Sequence, residues 1–331
     1  MKNKKRRLIC AIIVVAFIVL CGVFIKFFNG NLVYFSTGLG KNTILKVGGE
    51  SIIRNEALIA MSDAKGQYEE LLGSDIWNEE IDGQNFYTYV DDQIKVKLIR
   101  VAMLNKLAKE RGVVLSRQDE ENVKSAAKEY LNGLSSDDKN NIKIDEDSLE
   151  EMFTKFAIAK KVYEEIVSEY DIEVSYDDAR VIDIQYIVSD SEDEIKDAYN
   201  KIKDGTSFFA LAKEINDDGE YEIELKRGDM DEEFEKVAFN LATGDMSQII
   251  NIGDKYYIIR CTSDNDKTKT EVNKTTILEN KQLEKFNEFM NEYESKVYVD
   301  FNNKAFNKIS VRSCNVFSMN FESVFNSFFN N

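Results

Sequence analysis

The chain has 331 residues, of which 43% are hydrophobic and 31% are charged, a composition typical of folded domains rather than of a disordered protein. Its formal net charge is −17, which argues against a nucleic-acid partner because phosphate binding requires a basic surface. The chain contains no histidine, so Ser–His–Asp and Cys–His catalysis are excluded. Without histidine or a CxxC pattern we expect no metal site, and we expect no cofactor.

The N-terminal segment begins with the basic stretch MKNKKRR and continues with the uncharged run Leu8–Ile25. This length just reaches a bilayer span, and the preceding basic residues predict a cytoplasmic N-terminus and an exported body. A cleaved signal peptide is one alternative, but no A-x-A-like site follows the run. A lipoprotein modified at Cys21 is another, but Leu20 is bulky where that signal needs a small residue. We therefore expect a single-pass protein of a bacterial cell membrane.

A mainly helical region follows the N-terminal segment. Residues 29–42 are rich in Gly, Asn and Ser and predict a linker, and residues 43–175 predict two short strands followed by helices, the first of them opening near Asn55. SRQDEENV predicts a helix start with a capping box at Ser116, and residues 148–170 predict a further amphipathic helix. The acidic stretch SSDDKNNIKIDEDS between these helices predicts a solvated loop.

The period of the apolar residues changes at about Arg180. The pattern from there predicts a strand, two helices, a strand, a helix and two strands, which is a compact unit of βααβαββ order. A long polar helix follows from about Glu271, and then the strand VYVDFN. The tail is rich in Phe at a spacing of three to four residues. It predicts either a short helix packed on the body or a docking or membrane-surface helix, and its lack of basic residues favours packing.

Several stretches in this unit, taken in order, resemble the parvulin family of peptidyl-prolyl cis–trans isomerases. DGTSFFALAKEIND is similar to the family's G-x-x-F-x-x-LA segment, EFEKVAFNLATGDMSQII to its F-x-x-A-F-x-L-x-x-G stretch, and KYYII to the strand that usually reads GYHII. Upstream, LKVGGESIIRNEALIAM resembles the start of the larger extracytoplasmic foldases of the SurA and PrsA type. In those proteins an N-terminal helical segment and a C-terminal helix form a chaperone domain around an inserted parvulin unit.

The residue patterns and the resemblance together predict an α+β fold class. Its parts would be an N-terminal transmembrane helix, a mainly helical chaperone domain built from N- and C-terminal segments, and an inserted parvulin-like βααβαββ domain. The implied boundaries are 1–28 for the basic tail and anchor, 29–42 for the linker, 43–175 for the N-terminal part of the chaperone domain, 176–264 for the parvulin-like domain, 265–310 for the C-terminal part of the chaperone domain and 311–331 for the Phe-rich tail.

The resemblance also implies site residues. Parvulins hold the proline ring with a Met and a Phe of the third helix, which match Met230 and Phe234, although ordinary core packing is the alternative for both. The two family histidines, one on the first strand and one on the last, fall on Gln185 and Tyr257. A Cys or Asp beside the pocket falls near Glu224, and the family's G-x-L-G after it reads ELKR here. Because loss of a positioned polar group can cost about a hundredfold in rate or more, we expect weak or absent isomerase activity.

These expectations combine into one function with two alternatives. The chain would be a membrane-anchored extracytoplasmic folding factor that binds unfolded or proline-containing exported polypeptides, with weak prolyl isomerase activity. One alternative is a catalytically inactive holdase chaperone, and the other is a structural or regulatory protein of an envelope complex. An exposed apolar groove rimmed with acidic residues would favour the holdase over the envelope protein.

Overall fold

The computed structural model of the chain describes residues 38–81, 83–216 and 219–329. These residues fall into two compact units. The first, named here the outer unit, contains the chain up to Tyr170 and again from Leu283, and the second, the inserted unit, is Asp171–Gln282. The chain therefore leaves the outer unit once and returns to it, and residues from both parts share one hydrophobic core.

The first part of the outer unit consists of short strands and long helices. Its strands are β1 (Thr43–Val47), β2 (Glu50–Ile53), β3 (Glu80–Ile81) and β4 (Gln84–Asn85). Its helices are α1 (Arg54–Leu72), α2 (Phe86–Arg111), α3 (Arg117–Gly133), α4 (Ser136–Ile142) and α5 (Glu146–Ser168), with a 3-10 helix at Ser74–Asn78. Helix α5 packs against both α2 and α3, and the apolar stripes of these helices form the core between them.

Local capping signals explain how two of these helices start. The predicted capping box is present, since the Asp119 N–H donates to Ser116 Oγ and the Ser116 N–H donates to Asp119 Oδ2. The prediction of a loop over SSDDKNNIKIDEDS is wrong in part, because α4 lies within it. Ser135 caps α4 by accepting a hydrogen bond from the Asp138 N–H, which offsets the weak helix propensity of its Asp and Asn residues.

The inserted unit has its strands and helices in βααβαββ order. Its strands are β5 (Ile182–Ser189), β6 (Glu222–Leu225), β7 (Ile250–Ile252) and β8 (Lys255–Ser263). Its helices are α6 (Tyr176–Ala179) before β5, α7 (Glu192–Lys203) and α8 (Phe208–Ile215) after β5, and α9 (Glu232–Ala238) after β6. The strands form one antiparallel sheet in the order β6-β5-β8-β7, so β5 and β8 are the central strands.

The end of the described chain completes the outer unit. Helix α10 (Lys267–Glu294) begins in the inserted unit, and its residues from Leu283 belong to the outer unit. After it come β9 (Val299–Phe301), α11 (Asn303–Phe306) and α12 (Phe321–Phe329). Strand β9 pairs with β1 in an antiparallel sheet of order β2-β1-β9, where Phe301 lies opposite Leu45. Strands far apart in the sequence therefore share a sheet as well as a core.

The phenylalanine-rich tail packs into the outer unit. Helix α12 lies against α1 and α3, and Phe321 is only 2% exposed. Its ring centroid lies 4.2 Å from that of Phe153 and 4.9 Å from that of Phe156. Asp63 of α1 accepts hydrogen bonds from the N–H groups of Phe321 and Glu322, each at 3.0 Å. These contacts satisfy donors at the start of α12 that have no partner within the helix.

The membrane prediction requires a correction. Among residues 38–81, 83–216 and 219–329, no helix combines the length and the apolar character that a bilayer crossing requires. The predicted span, Leu8–Ile25, lies outside the described residues. The predicted fold class is therefore wrong in its transmembrane part and is corrected to a mixed α/β chain of two units. The predicted single-pass membrane localisation, with a cytoplasmic N-terminus and an extracytoplasmic body, required that helix. The same finding contradicts this prediction.

Candidate functional site

The sheet of the inserted unit has two unlike faces. On one face, named here the closed face, α7 and α8 cover Ile187 and Ile258, which are fully buried. On the other, named the open face, the short helix α9 packs and several apolar side chains stay partly exposed. Among them are Val188, Ile223, Met230, Ile250, Ile252 and Tyr257. Partly exposed apolar surface beside a packed core is a common feature of binding sites.

Three aromatic rings form the centre of the open face. Phe234 of α9 is buried, and its ring centroid lies 6.3 Å from that of Tyr186 on β5 and 5.5 Å from that of Tyr257 on β8. Both pairs meet edge to face, an arrangement that aromatic rings prefer. Met230 packs against the same cluster from the loop before α9, so it does not share a helix with Phe234 as the sequence predicted.

Glu235 holds the loop that carries Met230. The side chain is buried, and its Oε1 accepts hydrogen bonds from the Gly228 N–H at 2.7 Å and from the Met230 N–H at 3.0 Å. Asp231 caps α9 by accepting from the Glu233 N–H at 2.9 Å. Because one carboxylate oxygen accepts from both N–H groups of this loop, the position of Met230 depends on the Glu235 carboxylate.

Asn216 fixes the backbone of β5 at the open face. Its Oδ1 accepts a hydrogen bond from the Val188 N–H at 3.0 Å, and its Nδ2 donates to the Tyr186 carbonyl at 3.1 Å. The Tyr186 N–H donates in turn to the Tyr221 carbonyl at 2.9 Å. These bonds continue the pairing of β5 beyond Glu222, the first residue of β6, and so they hold Tyr186 and Val188 in place.

The structure brings three of the five predicted site residues together, namely Met230, Phe234 and Tyr257. Gln185 is not among them. Side chains alternate along a strand, and Gln185 lies on the closed face with Ile187.

Glu224 also lies away from the open face. It pairs in register with Asp183 on β5, and both therefore point to the closed face. The Glu224 carboxylate lies 2.8 Å from Lys269 Nζ, which also contacts Asp183 at 2.9 Å. The pKa of Lys269 is raised above its ordinary value, first by the hydrogen bond to Glu224 and then by the one to Asp183. Glu224 is thus engaged in an ion-pair network at the side of the sheet.

Tyr186 is the candidate residue that sequence reasoning missed. It directly follows Gln185, and a shift of one residue along a strand moves a side chain to the opposite face. The sequence contained the signal, because apolar Ile182 and Ile184 alternate with polar Asp183 and Gln185. This alternation places the next apolar-face position at 186 rather than at 185.

The chemistry available at the open face is limited. The aromatic rings and Met230 offer an apolar surface for a ring-sized side chain, and a tyrosine hydroxyl can donate and accept hydrogen bonds. The chain supplies no histidine to this site. The arrangement therefore suits binding of an apolar residue with its neighbouring amide more than proton transfer.

Two family models match the chain. A model described as the SurA-like N-terminal domain matches residues 1–132, and one described as the PPIC-type PPIASE domain matches residues 157–273. The second range contains all four strands of the inserted sheet and therefore the open face.

Individual relatives are more distant. The foldase protein PrsA of Caldanaerobacter subterraneus subsp. tengcongensis is 24% identical over 232 residues, which are 66% of this chain and 72% of that protein. The solved structure of a peptidylprolyl isomerase, PrsA, from Bacillus anthracis is 20% identical, covers 60% of this chain and 97% of its own, and has a TM-score of 0.33. A solved SurA-like chaperone of Campylobacter jejuni is 14% identical, covers 79% of this chain and 99% of its own, and has a TM-score of 0.28.

The matches agree with the resemblance found in the sequence. The SurA-like match covers the first part of the outer unit and the PPIC-type match covers the βααβαββ elements of the inserted unit. The resemblance to parvulins and to foldases of the SurA and PrsA type is thereby confirmed. The chain contains a SurA-like N-terminal domain and a PPIC-type parvulin domain, and it is homologous to the PrsA foldases and the SurA-like chaperones.

Proposed function

We propose that the chain is a protein-folding factor that binds unfolded exported polypeptides and acts on their prolyl bonds at the open face. Foldase function of the parvulin type is supported by the PPIC-type match and by the PrsA relative. One observation carries the proposal for the site. Phe234 lies between Tyr186 and Tyr257, and Met230 is partly exposed beside them.

The chemistry of prolyl isomerisation explains why such a surface is suitable. The barrier to rotation about a peptide bond is roughly 18–20 kcal/mol, and the reaction needs no nucleophile. An enzyme can lower the barrier by holding the proline ring in an apolar cup and by stabilising the twisted amide away from water. Met230 and Phe234 would supply the cup, and the hydroxyl of Tyr257 would supply a hydrogen bond to the peptide.

The catalysis would be weak. Tyrosine occupies the positions on β5 and β8 that face Phe234, and the chain has no histidine to tune either of them. Gln185 and Glu224, to which the resemblance assigns polar roles, lie on the closed face, so we assign their polar role to Tyr186 instead.

A catalytically inactive holdase is the second candidate. The same absence of histidine favours it, together with the match of the outer unit to the SurA-like domain. In this function the open face would bind peptides without accelerating their isomerisation, and the outer unit would shield unfolded chains.

The test compares two single substitutions in the inserted unit. Met230→Ala removes a partly exposed side chain from the open face, and Gln185→Ala removes one of similar length from the closed face. We expect the purified chain to accelerate isomerisation of a short X-Pro peptide modestly. Met230→Ala should abolish the acceleration, whereas Gln185→Ala should keep it.

The result can contradict the proposal in two ways. Loss of activity in Gln185→Ala alone would move the site to the closed face. No acceleration by the unmodified chain, with aggregation of an unfolded client still suppressed, would favour the holdase over the isomerase.

A further inference from the structure

The loop and first helical turn beside the open face are acidic. Four exposed acidic residues surround Met230 and precede Phe234 in the chain, and they are Asp229, Asp231, Glu232 and Glu233. Consecutive Cα atoms lie about 3.8 Å apart, so the carboxylates next to Met230 are within one Debye length, about 8 Å, of a ligand bound there.

A separate acidic cleft lies where β5 ends. Val188 belongs to the open face and also lines a cleft of about 380 Å³. The charged side chains of this cleft are Asp190, Glu194, Glu214 and Lys255. Glu194 and Glu214 belong to α7 and α8, the helices that cover the closed face, so this cleft adjoins the open face only at Val188. We therefore leave the cleft aside and name the four acidic residues of the loop and first helical turn the acidic rim.

The acidic rim is not neutralised by the protein itself. Within the part of the chain that the structure describes, none of its carboxylates forms a salt bridge with a lysine or an arginine. Acidic residues elsewhere in the inserted unit do so, as Asp177 does with Arg227 at 2.8 Å and Glu224 with Lys269 at 2.8 Å. Unpaired charge beside an apolar surface attracts ligands of opposite sign and accelerates their association.

We propose that the open face selects extended polypeptides that carry a lysine or an arginine within about two residues of the bound apolar or prolyl residue. The apolar surface receives the ring, and the acidic rim receives the neighbouring cation. This selectivity rests on the proposed function, because it concerns the peptides that the same face binds. The preference for a neighbouring lysine or arginine comes from the acidic rim and not from the aromatic cluster.

The test uses two short peptides with one Leu-Pro-Phe core, flanked either by lysines or by glutamates. Their affinities for the purified full chain are measured by calorimetry. At an ionic strength of about 20 mM the lysine peptide should bind about tenfold more tightly than the glutamate peptide. At about 500 mM the ratio should shrink to about twofold or less, because salt screens exposed charges.

Two matched variants assign the effect to the acidic rim. The rim variant neutralises three exposed carboxylates by Asp229→Asn, Glu232→Gln and Glu233→Gln. The control variant neutralises three exposed carboxylates on the closed-face side of the same unit by Asp193→Asn, Asp204→Asn and Glu222→Gln. Asp231 stays unchanged in both because it caps α9. The rim variant should lose about threefold to fivefold in affinity for the lysine peptide, and the control should lose less than about twofold.

Three other outcomes would contradict the selectivity, the role of the acidic rim or the proposed function. Equal binding of the two peptides at low salt would overturn the selectivity and leave the proposed function standing. Equal losses in the two variants would show that net charge, and not the acidic rim, attracts the peptide. Failure of both peptides to bind at either salt concentration would overturn the proposed function together with the selectivity.

Discussion

The outer and inserted units each contain an aromatic cluster, and the two clusters differ in what covers them. The sealed cluster of the outer unit consists of Tyr130, Phe153, Phe321 and Phe325, all of which are buried. The open cluster of the inserted unit consists of Tyr186, Phe234 and Tyr257. Edge-to-face pairs occur in both, but α12 closes the first whereas Tyr257 and its apolar neighbours stay partly exposed. The same ring geometry therefore stabilises the fold where the chain covers it and is available for binding where the chain does not.

Phe321→Ala tests the sealed cluster and should have the largest effect. Removing a buried phenylalanine costs about 3–5 kcal/mol, because apolar contacts are lost and a cavity remains. Trp77, the single tryptophan of the chain, lies in the outer unit, so its fluorescence during urea unfolding measures the free energy of unfolding of that unit. Phe328→Ala on the same helix is the control. Its side chain is partly exposed, and we expect a loss of less than about 1 kcal/mol. Equal losses in both variants would contradict the description of the cluster as sealed.

The pH dependence of stability tests how the sealed cluster is closed. Burial raises the pKa of Asp63 from 3.8 to about 7, against the opposing effects of the Phe321 N–H and the charge of Lys97. The folded state therefore keeps a proton that the unfolded state releases, and this stabilisation is complete below pH 3.8 and is lost as the pH rises through about 7. The loss amounts to at most about 4 kcal/mol, since one pKa unit corresponds to about 1.4 kcal/mol.

The variant Asp63→Asn isolates this contribution. The neutral amide cannot titrate, so the difference in free energy of unfolding between the original chain and the variant should change between pH 4 and pH 8, with the original chain losing more. A constant difference across that range would contradict the raised pKa of Asp63.

Glu235→Ala tests how the open cluster is positioned. The substitution removes the acceptor of the part-buried N–H groups of Gly228 and Met230, and each lost hydrogen bond is worth about 0.5–1.5 kcal/mol. We expect weaker binding of an X-Pro peptide, because Met230 would no longer be held against Phe234. Glu235→Gln retains an acceptor oxygen and should restore most of the affinity. If the glutamine variant binds as poorly as the alanine variant, the carboxylate acts in some way other than holding the loop.

Tyr257→Ala should have the smallest effect on stability and a clear effect on binding. The side chain is partly exposed, so we expect a loss of about 1 kcal/mol or less in the free energy of unfolding. Removal of the ring should weaken peptide binding by about fivefold to tenfold, as expected for one edge-to-face aromatic contact. Tyr257→Phe keeps the ring and separates the role of the hydroxyl. Calorimetric titration of both variants with the same peptide gives the comparison.

Most helices and strands could be predicted from the sequence, because the capping residues and the spacing of apolar residues indicated the same elements. The capping box at Ser116 and the alternation of elements after Arg180 follow from residue types and spacing that act over a few positions. The same reasoning missed α4, because its Ser, Asp and Asn residues are weak helix formers. The helix forms because Ser135 caps its first turn.

The candidate site was predicted less completely. The resemblance to parvulins implied Met230, Phe234 and Tyr257, which the structure brings together, but the choice between Gln185 and Tyr186 depends on strand register, where a slip of one residue reverses the face. Spacing also could not show that the loop before α9 is held by a carboxylate that follows it in the chain. Contacts such as that of Asp63 with α12 join distant parts of the sequence and leave no local pattern.

The pairing of β9 with β1 has a consequence for the order in which the chain folds as it is synthesised. The inserted unit is complete once residue 282 has been made, whereas the outer unit still lacks β9 and α12. At synthesis rates of about 5–20 residues per second, the remaining segment through Phe329 takes roughly 2 to 10 s to appear. The inserted unit can therefore finish folding before α12 has been synthesised. In that interval Phe153 and Phe156 lack their contacts with Phe321.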